Sequence, residues 1–66
     1  MFEVNAQRVR QLAFERGLSL NELARQARLN AVTARKALQD GSKLTAKVIS
    51  ALSKLFGVNG NELVLR

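Results

Sequence analysis

The stretch LSLNELARQARLNAVTARKAL, residues 18–38, has the pattern of two short helices joined by a tight turn. Ser19 is expected to cap the first helix, because its hydroxyl can accept from the backbone N–H of Glu22, whose carboxylate reaches back to the cap residue. Asn30 is a favourable cap for the second helix, which we expect over residues 31–39.

The second of these helices has two chemically different faces at about 100° per residue. Small and apolar side chains occupy one face, so that a neighbouring helix can approach closely: Thr33, Ala34, Ala37 and Leu38. The other face has two cations, an amide and no acid, and the major groove of DNA admits a helix of this kind. We expect base contacts from this second face: Ala31, Val32, Arg35, Lys36 and Gln39.

The chain is short and strongly basic. Its 66 residues allow one domain, 1–66, with a small core, since a chain of this size buries only about 60% of its unfolded surface. The formal net charge is +6, which favours nucleic acid or another anionic surface as a partner. Between Leu23 and Asn61, seven cations stand against a single acid, Asp40. A generic basic domain is the alternative.

Cap residues and apolar spacing predict a further helix before this stretch. It is expected over residues 6–16, after the cap Asn5, with Val4 and Val9 as a hydrophobic staple. Gly17 is expected to end it.

Two more helices are expected after the stretch. The fourth helix begins at its cap Thr45 and ends at Gly57, and a short last helix follows a second capping box formed by Asn59 and Glu62. Leu63 of the last helix is expected to face the core. Five short helices without strand alternation of useful length predict a compact all-α bundle.

Phe14 lies off the apolar stripe of the first helix. We expect its ring to pack against Phe2, because a large exposed aromatic side chain is unfavourable. Exposure of Phe14 for a partner is the alternative.

Several short motifs stand in order along the chain: Leu18-Ser19, Glu22-Leu23-Ala24, Leu29-Asn30, Thr33, Ala37-Leu38, Leu52 to Val58, and Asn59 to Leu63. Together they resemble the Cro/repressor-type helix-turn-helix domain, the XRE-like group, over roughly residues 6–63. The resemblance implies a lambda-repressor-like bundle with its motif at about 19–39. It also implies a sequence-specific regulator that binds double-stranded DNA, as a transcriptional repressor of bacterial or phage type. Arg28 stands where the family usually has glycine, and a positive φ there costs a non-glycine residue about 1 kcal/mol.

The resemblance also indicates contacts with the DNA backbone and a partner subunit. Around Ser19 and Asn21, the start of a helix offers backbone N–H groups to a phosphate. Further candidates for phosphate contact are Arg10, Arg25, Asn30, Ser42, Lys43 and Lys47. A homodimer is expected because one recognition helix reads too few base pairs to single out a site. Its expected interface is formed by Phe56, Val58, Val64 and Leu65. The alternative is that these residues close the core of a monomer.

Other functional classes receive less support from the residues. Without His, Cys or a Gly-rich phosphate loop, the chain is expected to be neither an enzyme nor a holder of a metal or cofactor. Membrane-binding basic helices are usually continuous, whereas caps and glycines interrupt this chain, so no membrane partner is expected. The absence of cysteine fits a reducing cytoplasm, and we expect a cytoplasmic location. A protein-interaction module, such as an antitoxin with a protein partner, is the alternative function.

Overall fold

Helices make up most of the structure, a computed structural model that describes residues 1–65 of the chain. The prediction of a mostly helical fold is confirmed by four α-helices: α1 (Ala6–Glu15), α2 (Leu20–Ala27), α3 (Ala31–Ala37) and α4 (Ala46–Phe56). The fifth predicted helix is a short 3₁₀ helix, Gly60–Leu63. Such tight turns rarely extend beyond a few residues, so this element closes the fold rather than adding an α-helix.

A small antiparallel sheet, which the sequence analysis did not predict, follows from pairing between distant segments. Strand β1 (Phe2–Glu3) pairs with strand β2 (Lys43–Leu44), and Phe2 lies opposite Leu44. Each strand has two residues, too few for an alternating apolar pattern to be visible in the sequence. The fold is therefore mostly α rather than strictly all-α.

The last described residues lie against the other side of β1. Val4 forms an antiparallel bridge with Val64, and the Leu65 N–H donates to the Glu3 carbonyl at 2.8 Å. Val4 has no exposed surface. Residues from the two ends of the described chain therefore complete one another's backbone hydrogen bonds.

The four predicted α-helix caps are confirmed. The side chains of Asn5, Ser19, Asn30 and Thr45 each accept from the backbone N–H three residues further on, at 2.8 to 3.3 Å. Each cap satisfies one of the N–H groups that the first turn of a helix leaves without a partner. These four residues therefore fix where the α-helices begin.

The reciprocal half of both predicted capping boxes is wrong. Glu22 binds the side chain of Arg25, and Glu62 binds the guanidinium of Arg8 at 3.0 Å. Asn59 caps the 3₁₀ helix through the N–H two residues further on rather than three. A carboxylate forms a charge-assisted hydrogen bond with either donor, but the guanidinium also carries a full positive charge, whereas the backbone N–H of a capping box is neutral.

Three α-helices end in the same backbone motif. A residue in the left-handed region follows each of them: Gly17 (φ 66°), Arg28 (φ 58°) and Gly57 (φ 69°). The next residue then donates its N–H to the carbonyl five residues earlier: Leu18 to Ala13 at 2.9 Å, Leu29 to Ala24 at 2.8 Å, and Val58 to Ser53 at 3.1 Å. This is the Schellman arrangement, and the three donating residues pack against the core. Arg28 is the one non-glycine residue among residues 1–65 with a positive φ.

Helix α3 is shorter than predicted. It ends at Ala37, so Gln39 lies in the following turn and the prediction of a helix over 31–39 is wrong at its C-terminal end. Leu38 and Gln39 donate to carbonyls three residues earlier, at 3.0 and 3.1 Å, which is the tighter geometry that often closes a helix. Gly41, with φ 83°, then turns the chain towards β2.

Every buried residue among residues 1–65 is apolar. Leu23, Leu52 and Leu63 are fully buried, each contributing about 2 kcal/mol through the surface removed from water, and the prediction for Leu63 is confirmed. Ala34 and Ala37 of α3 also have no exposed surface. Because both side chains are small, α3 can lie close to α2, its main packing partner.

The prediction that Phe14 packs against Phe2 is wrong. The Phe14 side chain is 85% exposed. Pairing of β1 with β2 places Phe2 in a groove beside Ile49 and Val64. Phe2 therefore does not cover Phe14.

Replacing Arg28 by glycine should stabilise the domain. Glycine adopts the left-handed conformation without the clash that Arg28 has there, so Arg28→Gly should raise the free energy of unfolding by about 1 kcal/mol. For a domain of this size, Tm should rise by about 4–8 °C in a thermal melt.

Gly57→Ala provides the matched control. It introduces a side chain at another left-handed position and should lower Tm by a similar amount. A lower Tm for Arg28→Gly would contradict this account of the turn.

Candidate nucleic-acid interface

Helix α3 buries one face and exposes the other. Ala34 and Ala37 face the interior, whereas the following residues are exposed: Ala31, Val32, Arg35 and Lys36. Val32 is 59% exposed, so its apolar side chain is available at the surface of this helix. The Asn30 side chain accepts from the Thr33 N–H at 2.8 Å and fixes the start of the helix. The exposed face therefore carries two cations and two apolar groups on a well-anchored helix.

The cations divide into two groups by their partners. Within residues 1–65, four arginine side chains are hydrogen-bonded: Arg8, Arg10, Arg16 and Arg25. Six others form no side-chain hydrogen bond or ion pair with another described residue: Arg28, Arg35, Lys36, Lys43, Lys47 and Lys54. All six lie between the end of α2 and the last turn of α4, so the positive charge without an internal partner is concentrated there.

The ion pairs that do form lie outside the exposed face of α3. Arg8 binds Glu62 at 3.0 Å, and Arg25 binds Glu22 one turn away on α2. The hydrogen bonds from Arg25 and Gln26 to the Glu22 carboxylate lower the pKa of that group below its usual range. These acids are thus neutralised by arginines of α1 and α2, and no acid lies on α3 itself.

Arg10 has a structural contact that the sequence analysis missed. Its guanidinium donates to the Leu38 carbonyl at 2.8 Å and lies 3.6 Å from the Asp40 carboxylate. The contact joins α1 to the carbonyl end of α3 across 28 positions, and no local pattern signals a pair so far apart. A cation near the last carbonyls of a helix is favourable, so Arg10 helps to hold α3 in place.

Arg16 makes a second long-range contact that was missed. It donates to the Phe56 carbonyl at 2.8 Å, and its guanidinium lies 5.7 Å from the centre of the Phe56 ring. The contact joins the end of α1 to the end of α4. Arg25, like Arg10, was expected to meet a phosphate and instead has an internal partner.

The start of α2 lies at the surface. Ser19 and Asn21 are both exposed, and the Ser19 hydroxyl already accepts from the Glu22 N–H at 3.2 Å. Asn30 uses its side-chain oxygen as a cap and keeps its amide N–H groups for an outside acceptor.

The expected phosphate contacts after α3 lie on regular elements. Lys43 belongs to β2 rather than to a free loop, and Lys47 lies in the first turn of α4; both side chains are exposed. Ser42 is half-buried, and its carbonyl accepts from the Val4 N–H at 2.9 Å. The next residue, Lys43, pairs with Glu3 in the small sheet, and this pairing holds its backbone in place.

The residues expected at a dimer interface differ in exposure. Phe56 is only 3% exposed, so its ring belongs to the core and offers no contact surface. Val58 and Val64 are half-buried and pack on the core. Leu65 is 47% exposed, the same exposure as Phe2 on the neighbouring strand. We call Phe2, Val64 and Leu65 the terminal patch.

Comparison with known proteins gives no family for this chain, because no family model matches it and a search of curated proteins finds no match. None of the helices within residues 1–65 has the length and apolarity that crossing a bilayer requires. The same residues contain no group of three His, Cys, Asp or Glu side chains placed to hold a metal ion. Geometry and charge are therefore the grounds for assigning a function.

Proposed function

We propose that the chain binds double-stranded DNA and regulates transcription, with α3 in the major groove. The observation that carries the proposal is the exposed face of α3, where Arg35 and Lys36 have no internal partner among the described residues. Unpaired cations on a protruding helix can meet phosphates and base edges without first breaking ion pairs. An arginine can bind guanine O6 and N7 together, which is the commonest specific contact in the groove.

The two apolar residues of this face support base readout. Val32 is 59% exposed and Ala31 is also exposed, at the first turn of α3. Small apolar groups contact the methyl group of thymine in the major groove. The proposed readout therefore combines Arg35 and Lys36 with methyl contacts from Ala31 and Val32, and Gln39 contributes from the turn rather than from the helix.

The proposed fold is that of the XRE-like, lambda-repressor-like domains, with the 3₁₀ helix in the place of the fifth helix. Support comes from the order of elements around the motif: the Ser19 cap, the left-handed turn at Arg28 and the Asn30 cap. The small buried side chains of Ala34 and Ala37 are also what a closely packed helix-turn-helix needs.

Phosphate contacts are proposed on both sides of α3. Ser19, Asn21 and Asn30 are exposed near the starts of α2 and α3, where the helix dipole favours an anion. Lys43 and Lys47 follow α3 on β2 and α4. Arg10 and Arg25 are left out of this set because both have internal partners.

Binding to duplex DNA should depend strongly on salt. If about five phosphates are neutralised, the logarithm of the association constant should fall with the logarithm of salt concentration at a slope of about −4 to −5. Fluorescence anisotropy with a labelled duplex measures this slope directly. A slope near zero on every duplex tested would rule out the proposal that the chain binds double-stranded DNA through its cations.

Arg35→Ala and Lys43→Ala should differ in kind, although each removes one positive charge. Arg35 projects from the exposed face of α3, so its loss should cost about 1–3 kcal/mol on a selected operator and relax the preference at particular bases. Lys43 is expected to meet phosphate only, so its loss should weaken all duplexes about equally.

The measurement is a selection from random duplexes, followed by titration of the selected and a scrambled site. Because both substitutions remove one positive charge, each variant is the control for the effect of net charge in the other. Equal losses on both sites for both variants would contradict the division between base and backbone contacts.

We further propose that two copies bind each operator. One recognition helix reads only a few base pairs, and a twofold axis doubles the site. The terminal patch is the proposed contact, because Phe2 and Leu65 are exposed apolar side chains on adjacent backbone segments. Phe56 does not take part, since it lies in the core.

Leu65→Asp and Phe2→Asp should each reduce binding of the second protomer. A buried aspartate at an apolar contact is unfavourable, so sedimentation of the complex should show one protomer per operator where the unmodified protein shows two. Phe14→Asp is the control, because Phe14 is 85% exposed on another part of the surface. A single protomer of the unmodified protein at saturation would exclude the dimer.

A further inference from the structure

An open groove of about 660 Å³ runs between the α2–α3 turn and α4. Leu29, Val48 and Leu55 contribute an apolar floor, and all three are only half-buried. Arg28 and Lys54 stand among the residues that line it. The groove thus combines exposed apolar surface with positive charge.

No acidic residue lines the groove, and its cations have no internal partners among the described residues. Lys47 and Lys54 both lie along it on α4. They are seven positions apart on the helix, so they stand about two helical turns, or roughly 10 Å, from one another. The charge therefore extends along the length of the groove rather than at one point.

The backbone of Arg28 gives an independent reason to look for an outside partner. Its φ of 58° places a long side chain in a conformation that glycine adopts more easily, as Gly17 and Gly57 do after α1 and α4. The guanidinium forms no bond with a described residue that would offset this strain. The turn requires this backbone angle but not an arginine, so the retained arginine leads to the hypothesis that its side chain has a partner outside the described residues.

We propose that this groove binds an acidic amphipathic helix of a partner protein. A helix with leucines at i, i+4 and i+7 presents one apolar stripe about two turns long, the same spacing as that between Val48 and Leu55 on α4. Carboxylates beside that stripe then meet Arg28 and Lys54, whereas Lys47 remains a proposed phosphate contact. DNA is the less suitable occupant, because a phosphate backbone has no apolar side chains to cover Leu29, Val48 and Leu55. This inference does not depend on DNA binding by α3.

The test uses a fluorescein-labelled peptide of alanine and glutamate with leucines at i, i+4 and i+7. A peptide of the same composition with scrambled leucines is the control. The first peptide should bind in an anisotropy titration, with affinity falling as salt rises, and should shift the NMR amide signals of Leu29, Val48 and Leu55. The scrambled peptide should bind at least about tenfold more weakly, because it presents no apolar stripe.

Substitutions of Arg28 and Lys54, the two cations at the rim of the groove, test whether the peptide binds there. Arg28→Gly and Lys54→Gln should each weaken peptide binding about two- to fivefold, as expected for exposed ion pairs. Arg28→Lys should retain binding, since it keeps the charge. Gln7→Glu, which changes the net charge by the same amount on the exposed surface of α1, should leave peptide binding within about twofold.

Arg28→Gly separates binding from folding, because it should raise Tm while it weakens the peptide complex. Three results would overturn the proposal. These are no binding of the first peptide up to about 1 mM, equal affinity for the scrambled peptide, and an unchanged peptide affinity in both rim variants. One further result would assign the groove to DNA instead of the peptide. In that case Lys54→Gln would lower the affinity for duplex DNA as much as Lys43→Ala does. The first three results concern peptide binding only and do not bear on the salt dependence of DNA binding. The peptide proposal and the DNA proposal can therefore be rejected separately.

Discussion

The left-handed backbone at Arg28 is the constraint on which the arrangement of α2 and α3 depends. It ends α2, packs Leu29 against the core and places Asn30 where its side chain caps α3. Once the turn is fixed, only small residues fit where α3 meets α2, and Ala34 and Ala37 have no exposed surface there. The same turn decides which side of α3 faces solvent. A local backbone angle thus sets the direction in which the cations of that helix point.

The distribution of ion pairs gives this small domain two electrostatic regions. On α1 and α2, arginines are used within the protein: Arg8 binds Glu62, Arg10 holds the end of α3, and Arg16 binds the Phe56 carbonyl. From the α2–α3 turn to the end of α4, the cations have no partners among residues 1–65. Charge that is neutralised internally supports the fold, whereas charge without a partner raises the potential at the surface. The net charge alone does not reveal this division.

Most local features of the fold could be predicted from the sequence, with the contact of Glu22 with Arg25 as an exception, and features that depend on distant residues could not. The helix starts at Asn5, Ser19, Asn30 and Thr45 were predictable because each cap involves a residue three positions away. The capping box at Asn59 failed because Glu62 is drawn to Arg8, 54 positions away. β1 was missed, and with it the position of Phe2, because its pairing partners lie some forty to sixty positions along the chain.

The candidate site shows the same limit. The exposed and buried faces of α3 follow from helical periodicity, so Ala31, Val32, Arg35 and Lys36 were placed correctly at the surface. The end of the helix was not predicted correctly, because periodicity does not show that the last turn tightens after Ala37 or that Arg10 binds the Leu38 carbonyl. Likewise, nothing in the local sequence distinguishes a cation with an internal partner, such as Arg25, from one without, such as Arg35.

The pairing of β1 on both of its sides has a consequence for the order in which the domain assembles during synthesis. The backbone partners of Val4 and Glu3 include Ser42 and Leu65, which leave the ribosome long after them. The contacts between α2 and α3 join residues within 19–38, all of which are made before Ser42 and Leu65. Contacts between distant residues form late because closing a long loop costs entropy. The earliest of these residues to be made are thus the last to be fully paired, and a nascent chain that stalls before Leu63 has no Val64 or Leu65 to bind the second side of β1.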